Sequence, residues 1–481
     1  MSASFFFYDL ETSGINSNEA RIMQFAGLRT DMELNPIGEP VDMLVQLPKD
    51  TLPDPDAIMV TGITPQKTQE EGYTEAEFLK IFANEIATPD TIFVGYNTVR
   101  FDDEFVRYLH YRNFYDPYEW QWQDGKSRWD LLDVVRMTRA LRPDGIEWPF
   151  DVNGKPTNRL ELLTAMNKLD HEHAHDALSD VEATISVARL IRNKNEKLFD
   201  FLLSMRDKRK VAELATGGQP FVYTSGKYPS EFEKTTVVYR ISDHPQKQGA
   251  FVYDLRHDPS QYKDMTPEQL VELWRWNKDP EAPRLPVKTI QYNRCPAVAP
   301  LGVLKDETDQ KRLKINMDEI RHNLAVLKSM KDFADRLRQA WEILEAERDT
   351  SKFATIEDDV DGCMYNAFFE GGDKQKMSVV RAANPEELSD LGLKFKDERL
   401  VKLLPLYKAR NYPKLLTGEE REAWEQHCAD KLLKGDQHSR MGRFFARLQE
   451  LSQHEELTDH QRYLLEELKL YAESIMPEPI E

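Results

Sequence analysis

The sequence predicts an α/β sheet domain at the front of the chain, a smaller β-rich domain behind it, and a helical domain at the end. Three changes of texture along the 481 residues carry that prediction. From Ser4 to about Lys194, short apolar runs alternate with helical patterns. From about Asn195 to Arg348, β-branched and aromatic runs are separated by Pro, Gly and Asp. Beyond the acidic connector DTSKFATIEDDVDG the periodicity is almost wholly helical. A chain of this length exceeds one ordinary core, so two or three domains are expected. We place them at 1–194, 195–348 and 358–481, with 349–357 as linker.

In chain order, SFFFYDL is nearly all apolar and therefore reads as a strand buried on both faces. RIMQFAGLRTD and DMLVQLP read as strands, TEAEFLKIFANEIA as a helix and TIFVGYN as a further strand. EFVRYLHYRNF, LELLTAMNKL and DALSDVEATISVARLIRNK then read as helices, the alternation expected of a sheet with helices on its faces. In the middle region TTVVYRISDH, AFVYDLRHD and RLPVKTIQYNRCPAVAP are strand-like, with helical insertions such as TPEQLVELWRWN. GEEREAWEQHCADKLL, SRMGRFFARLQELSQ and DHQRYLLEELKLYAESIM are amphipathic stretches of the last region.

Composition removes several classes. No apolar run of about 18 residues exists, so no membrane helix is expected. FFFYDLET is short, lacks a basic leader and runs into acids, so it reads as a strand and not a signal peptide. Cys295, Cys363 and Cys428 stand far apart with no CxxC pair, which points to a reducing compartment, hence cytoplasmic, and away from a zinc cluster. The net charge of −20 argues against a nucleic-acid partner, because an acidic surface repels phosphate. Net charge is a sum, however, and a basic groove can coexist with acids gathered elsewhere.

Three segments outweigh the charge argument. Asp9 and Glu11 lie two apart on a predicted strand, so both carboxylates leave the same face at the end of the most apolar segment. Two buried like charges repel unless a cation compensates them, and oxygen ligands of this kind suit Mg²⁺ or Mn²⁺. GYNTVRFDDEF places Asp102 and Asp103 at a strand-to-helix junction, where either competes to be a third carboxylate and either also suits a helix N-cap. HAHDALSDVEAT sets His175 at the entrance to a helix and Asp180 in its first turns; Asp176 and Asp180 also suit the macrodipole.

Asp-x-Glu on a first strand, Asn-x-x-x-Phe-Asp in the middle and His five residues before a last Asp resemble, in that order, the histidine subgroup of the DEDD exonuclease superfamily. The resemblance implies a ribonuclease H-like fold and hydrolysis with two Mg²⁺ ions, Mn²⁺ being an alternative. Asp9, Glu11, Asp102 and Asp180 are then the metal ligands, and His175 is the general base. GEPVDMLVQLPKDTLPDPDAIMVTGITPQ, YRNFYDPYEWQWQDGKSRWDLLDVVR, ALRPDGIEWP and AHDALSDVEATI, with PVKTIQYNRCPAVAP and LYKARNYP further on, extend it over essentially the whole chain to the bacterial exonuclease I family. Membership implies an SH3-like second domain, a helical third domain, and 3′→5′ degradation of single-stranded DNA to 5′-mononucleotides in DNA repair and recombination.

Strand binding without sequence preference needs stacking and backbone charge. On that ground Phe101, Arg128, Trp129 and Arg159 are candidate substrate contacts, with Arg142 and the basic run MRDKRK as further cations; Glu11 and Thr12 are further candidate substrate contacts, Thr12 through its backbone to the terminal nucleotide. Trp120 and Trp122 read as core. The family resemblance also implies docking of the C-terminal tail of single-stranded-DNA-binding protein in a pocket between the last two domains, with Lys305, Lys328 and Phe201 as its candidate contacts. A monomer is expected. A non-catalytic single-stranded-DNA-binding or partner-binding scaffold that keeps the fold is the competing reading, and RNA or mismatched duplex are competing substrates.

Overall fold

The computed structural model describes residues 3–169, 176–279, 282–348, 355–357 and 359–477. His175 lies outside the described residues.

Sheet one is built around β1 (Ser4–Thr12). It pairs antiparallel with β2 (Ile22–Thr30), which pairs antiparallel with β3 (Val41–Leu44). On its other side β1 pairs parallel with β4 (Thr91–Gly95), and β4 parallel with β5 (Ser127–Asp130), giving the order β3-β2-β1-β4-β5. The apolar run explains the position of β1. Phe5 and Phe7 point into one core with Trp129, Val181 and Ile185, while Phe6, Tyr8 and Leu10 point into another with Phe25 and Phe93. Alternation along the strand puts Asp9 and Glu11 on the side of Phe5 and Phe7, the face covered by the long helix Ala177–Ser204.

Helices Pro55–Thr61 and Pro65–Glu71, unrecognised in the sequence, follow β3; each begins with Pro after an Asp or Thr N-cap. The long helix breaks its helical geometry once, at Asn195, and continues to Ser204. The second sheet is antiparallel throughout, in the order β10-β6-β7-β8-β9, with β6 (Phe221–Thr224), β7 (Thr235–Asp243), β8 (Gly249–Asp254), β9 (Val287–Gln291) and β10 (Ala297–Pro300). Val222, Val237 and Phe251 of this sheet share a continuous core with Phe5, Phe7 and Trp129.

The last region is helical, as its periodicity predicts, and packs on the first sheet's domain through two surfaces. Helices Arg440–Ser452 and Asp459–Ser474 bury Leu448, Leu464 and Leu468 against Leu47 and Ile58. Leu400, Leu403 and Tyr407 pack with Tyr108, Tyr111 and Phe114. Cys295, Cys363 and Cys428 are buried free thiols. No helix among the described residues is long and apolar enough to cross a membrane.

Candidate active site

The parallel ladder between β1 and β4 ends at Phe7–Val94, so the two strands diverge beyond it. A cleft at the carboxyl ends of parallel strands is the usual ligand position in such sheets. Gly95 closes β4 without a side chain because a Cβ there would stand 2.8 Å from the Tyr8 carbonyl oxygen. Asp130 then organises the turn after β4: its carboxylate accepts from the backbone N–H of Asn97 (3.0 Å) and Val99 (3.3 Å) and from that of Leu132 (3.0 Å). This turn delivers helix Asp102–Arg112, whose first residue faces β1.

Carboxylate oxygens of Asp9, Glu11 and Asp180 come within 4.8 Å of one another. The first two are on β1 and the third is in the first turn of helix Ala177–Ser204, whose N-cap is Asp176, accepting from the Ser179 N–H at 3.1 Å. Asp102 stands outside that trio but close enough for its charge to be felt by both Asp9 and Glu11. Burial, reinforced by Asp102, Asp180 and Glu11, holds Asp9 well above the usual carboxylate range. Burial and the charges of Asp180 and Asp102 push Glu11 up to about 8. Asp102 is also pushed up to about 8, chiefly by burial, although the Leu10 N–H donates to it. An all-carboxylate oxygen set carrying this much mutual repulsion fits hard divalent cations.

The structure separates Asp102 from Asp103. Asp103 is 1% exposed and already neutralised: the Tyr8 hydroxyl donates to it and the Arg128 guanidinium pairs with it. Arg128 therefore does not serve as a free phosphate contact. Its second arm donates to the Asn293 carbonyl at 2.9 Å and fastens the first domain to the second. Trp129 also departs from expectation as a stacking surface. It is 2% exposed, with Phe5 at 6.4 Å and Phe199 at 5.0 Å between ring centres, and a ring so enclosed cannot receive a base. Trp120 is core as expected, whereas Trp122 is 58% exposed, against the expectation of core.

Other expected contacts fall nearer the acids. Phe101 is half-buried at the start of helix Asp102–Arg112 and packs on Phe105. Thr12 is buried at a break in the β1–β2 register, its hydroxyl donating to the Gly14 carbonyl at 2.9 Å. Arg159 is largely exposed, pairs with Glu161 and lines a cavity of about 480 Å³ together with Asp9, Asp180 and Asn97. Arg142 pairs with Asp309, and in the basic run Arg209 pairs with Asp207. Phe201 is half-buried between the cores of the first two domains, Lys305 is exposed after β10, and the Lys328 ammonium lies 5.1 Å from the Tyr239 ring centre. No hydrogen bond, ion pair or ring contact among the described residues joins these three.

Two cations that sequence reasoning missed line the same cavity: Arg136 and Lys234. Arg136 shares a helix face with Leu132, another lining residue, and pairs with Asp133, which also holds Arg100. Gly226 makes room for it, since a Cβ there would stand 3.1 Å from the guanidinium. Lys234 precedes β7 and comes from the second domain, so only the tertiary fold brings it to Asp9. Further along, burial and then Arg100, Lys288, Lys247 and Arg294 depress the Lys227 pKa. Several cations thus gather where the first two domains meet, an arrangement compatible with a net acidic chain because net charge is a sum.

Comparison with known proteins agrees with this fold. The chain matches models described as Exonuclease over residues 6–188, Exonuclease I SH3-like domain over 206–343 and Exonuclease I C-terminal domain over 358–475. Exodeoxyribonuclease I of Haemophilus influenzae is 40% identical over 438 residues, 90% of this chain and 91% of that protein. Exodeoxyribonuclease I of Escherichia coli is 39% identical over 88% of this chain and 89% of that protein. The solved structure of E. coli exonuclease I with a dA16 oligonucleotide superposes with a TM-score of 0.91 at 36% identity, covering 99% of this chain and all of that one. A ribonuclease H-like exonuclease domain, an SH3-like domain and a helical C-terminal domain follow one another here, and the chain belongs to the exonuclease I family of exodeoxyribonucleases.

Proposed function

We propose that this enzyme removes nucleotides from the 3′ end of single-stranded DNA, releasing 5′-mononucleotides, and serves DNA repair and recombination in the cytoplasm as a monomer. One observation carries the reading: three carboxylates converge from β1 and the long helix beside a cavity lined by Arg136, Arg159 and Lys234. Acids gather where hydrolysis requires cations, and basic groups gather where a phosphodiester chain must lie. The E. coli relative is known with single-stranded oligonucleotides and in a zinc ion bound form, which supports both halves of the reading. Comparing Mg²⁺-dependent mononucleotide release from single-stranded DNA, duplex DNA and RNA tests it.

Asp9, Glu11, Asp180 and Asp102 would hold two Mg²⁺ ions, and Mn²⁺ suits the same oxygens. When bound, such ions acidify water and offset charge on the scissile phosphate and the leaving 3′ oxygen. Arg136, Arg159 and Lys234 hold the phosphate chain against the acids, with Thr12 and Phe101 beside the terminal nucleotide. His175, whose ordinary pKa is near 6.5, takes the proton of the attacking water. His175→Ala should slow turnover by roughly 10²- to 10⁴-fold. A pH–rate profile unchanged by the substitution would remove His175 from that role.

Lys234→Ala should weaken single-strand binding and lower the slope of log affinity against log salt by about 0.7, the value for one phosphate contact on a single strand. Titration at several salt concentrations reads this directly, and an unchanged slope would place the strand elsewhere.

The raised carboxylate pKa values give a signed pH effect. In the metal-free protein Glu11 keeps its proton up to about 8, whereas the unfolded chain releases it near 4.5. The folded state therefore binds more protons across that window, and metal-free stability falls as pH rises through it. Stabilisation by Mg²⁺, which replaces those protons, should grow over the same range. Melting temperatures with excess Mg²⁺ and with chelator should diverge from about pH 5 to pH 8; a constant difference would contradict the assignment.

A solved SSB/Exonuclease I structure superposes on this chain at 36% identity. By that likeness we assign the exposed Lys305 and Lys328, with Phe201, as the contacts for the tail of single-stranded-DNA-binding protein. Lys328→Glu should weaken a tail peptide while sparing cleavage of bare DNA, and equal peptide affinity would move the pocket elsewhere.

A further inference from the structure

Away from the active site, the first and third domains meet over a buried cluster of charges. Asp50 receives Arg410 (2.6 Å) and Lys431 (2.8 Å), with His427 at 3.3 Å on its edge. Asp361 receives Arg21 (2.9 Å), Arg410 (2.6 Å) and Lys431 (3.1 Å). Glu75 lies 3.4 Å from Arg21 and 3.7 Å from Arg112, and also accepts from Asn113. The four cations thus face three carboxylates, leaving a positive charge in excess even with His427 neutral.

The excess has a location. Arg112 is 1% exposed, yet its Nε and both terminal nitrogens have no hydrogen-bond partner, and neither does the Nε of neighbouring Arg21. Glu75, at 3.7 Å, is within electrostatic reach of Arg112 but beyond a hydrogen bond. Burial and the charge of Arg21 depress the Arg112 pKa to about 10. A guanidinium carries five N–H donors, and leaving them unmet in a dry interior is among the costlier arrangements a fold can hold. Neighbouring Arg399, in contrast, is as deeply buried but donates to three carbonyls and Asp397.

We propose that Arg112 and Arg21 bind a small monovalent anion of the halide class at the interface between the exonuclease and C-terminal domains. A halide accepts from several N–H groups at once and removes the excess charge; a water molecule does only the first. A narrow cavity of about 60 Å³ lined by Glu75, Arg410 and Asn411, but by neither Arg112 nor Arg21, lies beside the cluster. The anion would tie helix Asp102–Arg112 to Arg21, whose guanidinium also holds Asp361 of the C-terminal domain, so domain docking would respond to halide.

Crystals of the full-length protein soaked in bromide test this. An anomalous peak against the Arg112 guanidinium is expected; density refining as water, or no peak there while surface bromides appear, would overturn the proposal. In solution, the melting temperature should rise by about 2 °C per tenfold increase in chloride above its dissociation constant, at ionic strength held constant with glutamate. Arg112→Met should abolish that increment, and Arg112→Lys should weaken it. An equal chloride response in wild type and Arg112→Met would also overturn the proposal.

Discussion

Asp9→Ala is expected to abolish cleavage while leaving single-stranded DNA binding measurable. Asp9 is the acid that meets all the others: Asp102, Asp180 and Glu11 each add to its repulsion, and it alone of the β1 pair lines the cavity. On the proposed assignment its loss would remove a cation ligand, so the fall should exceed the roughly 10²- to 10³-fold that loss of one transition-state donor costs. The proposed strand-binding cations Arg136, Arg159 and Lys234 line the same cavity and are left in place by the substitution. Removing a carboxylate from a cluster of carboxylates should also raise metal-free stability, because repulsion is relieved. Single-turnover rates, strand affinity and metal-free melting temperature together check this. Substantial remaining cleavage would show that Asp9 is not at the metal centre, and a lower melting temperature would show that it is held by a partner and not by repulsion.

Asp361→Ala is expected to destabilise the protein by about 3–5 kcal/mol, the usual cost of breaking a buried ion cluster by removing one member. Burial alone would raise the Asp361 pKa, but Arg410, Lys431 and Arg21 draw it well below the carboxylate range. The substitution leaves those three cations facing only Asp50 and Glu75. Because Arg21 belongs to the first domain and Arg410 to the third, undocking of the C-terminal helices should precede global unfolding. Denaturant unfolding followed by tryptophan fluorescence reads both effects, with Trp424 reporting the C-terminal domain. A loss under about 1 kcal/mol, the level of a surface pair, would mean that the cluster does not hold the interface.

Much of the first domain was legible because its signals are local. Nearly continuous apolar sequence identified β1, and a spacing of two put Asp9 and Glu11 on one face of it. Helical periodicity placed Asp180 in the first turns of a helix whose apolar stripe includes Val181 and Ile185, and the family resemblance of its motif made it a ligand. The residues alone left Asp102 and Asp103 open and the family resemblance chose Asp102, because what separates them physically is Asp103's contact with Tyr8 and Arg128, which lie far from both in sequence. The same holds for Arg128 and Trp129. Adjacent to one another and rich in the chemistry of DNA contacts, they point instead to an acid and to a core that the sequence does not identify. Lys234 and Arg136 show the converse, because neither belongs to a motif and the cavity between two domains selects them. The buried cluster around Asp361 was invisible for a related reason: charged residues read as surface until the fold pairs them.

The most direct test of the account is the site and polarity of release from a single-stranded oligonucleotide carrying distinct labels at its two ends. With Mg²⁺, the 3′ label should appear first as a 5′-mononucleotide while the 5′ label moves through successively shorter strands, and Asp9→Ala should show neither. Release beginning at the 5′ end, internal cuts, or equal rates on duplex would contradict a carboxylate metal centre fed by a single strand through the basic cavity.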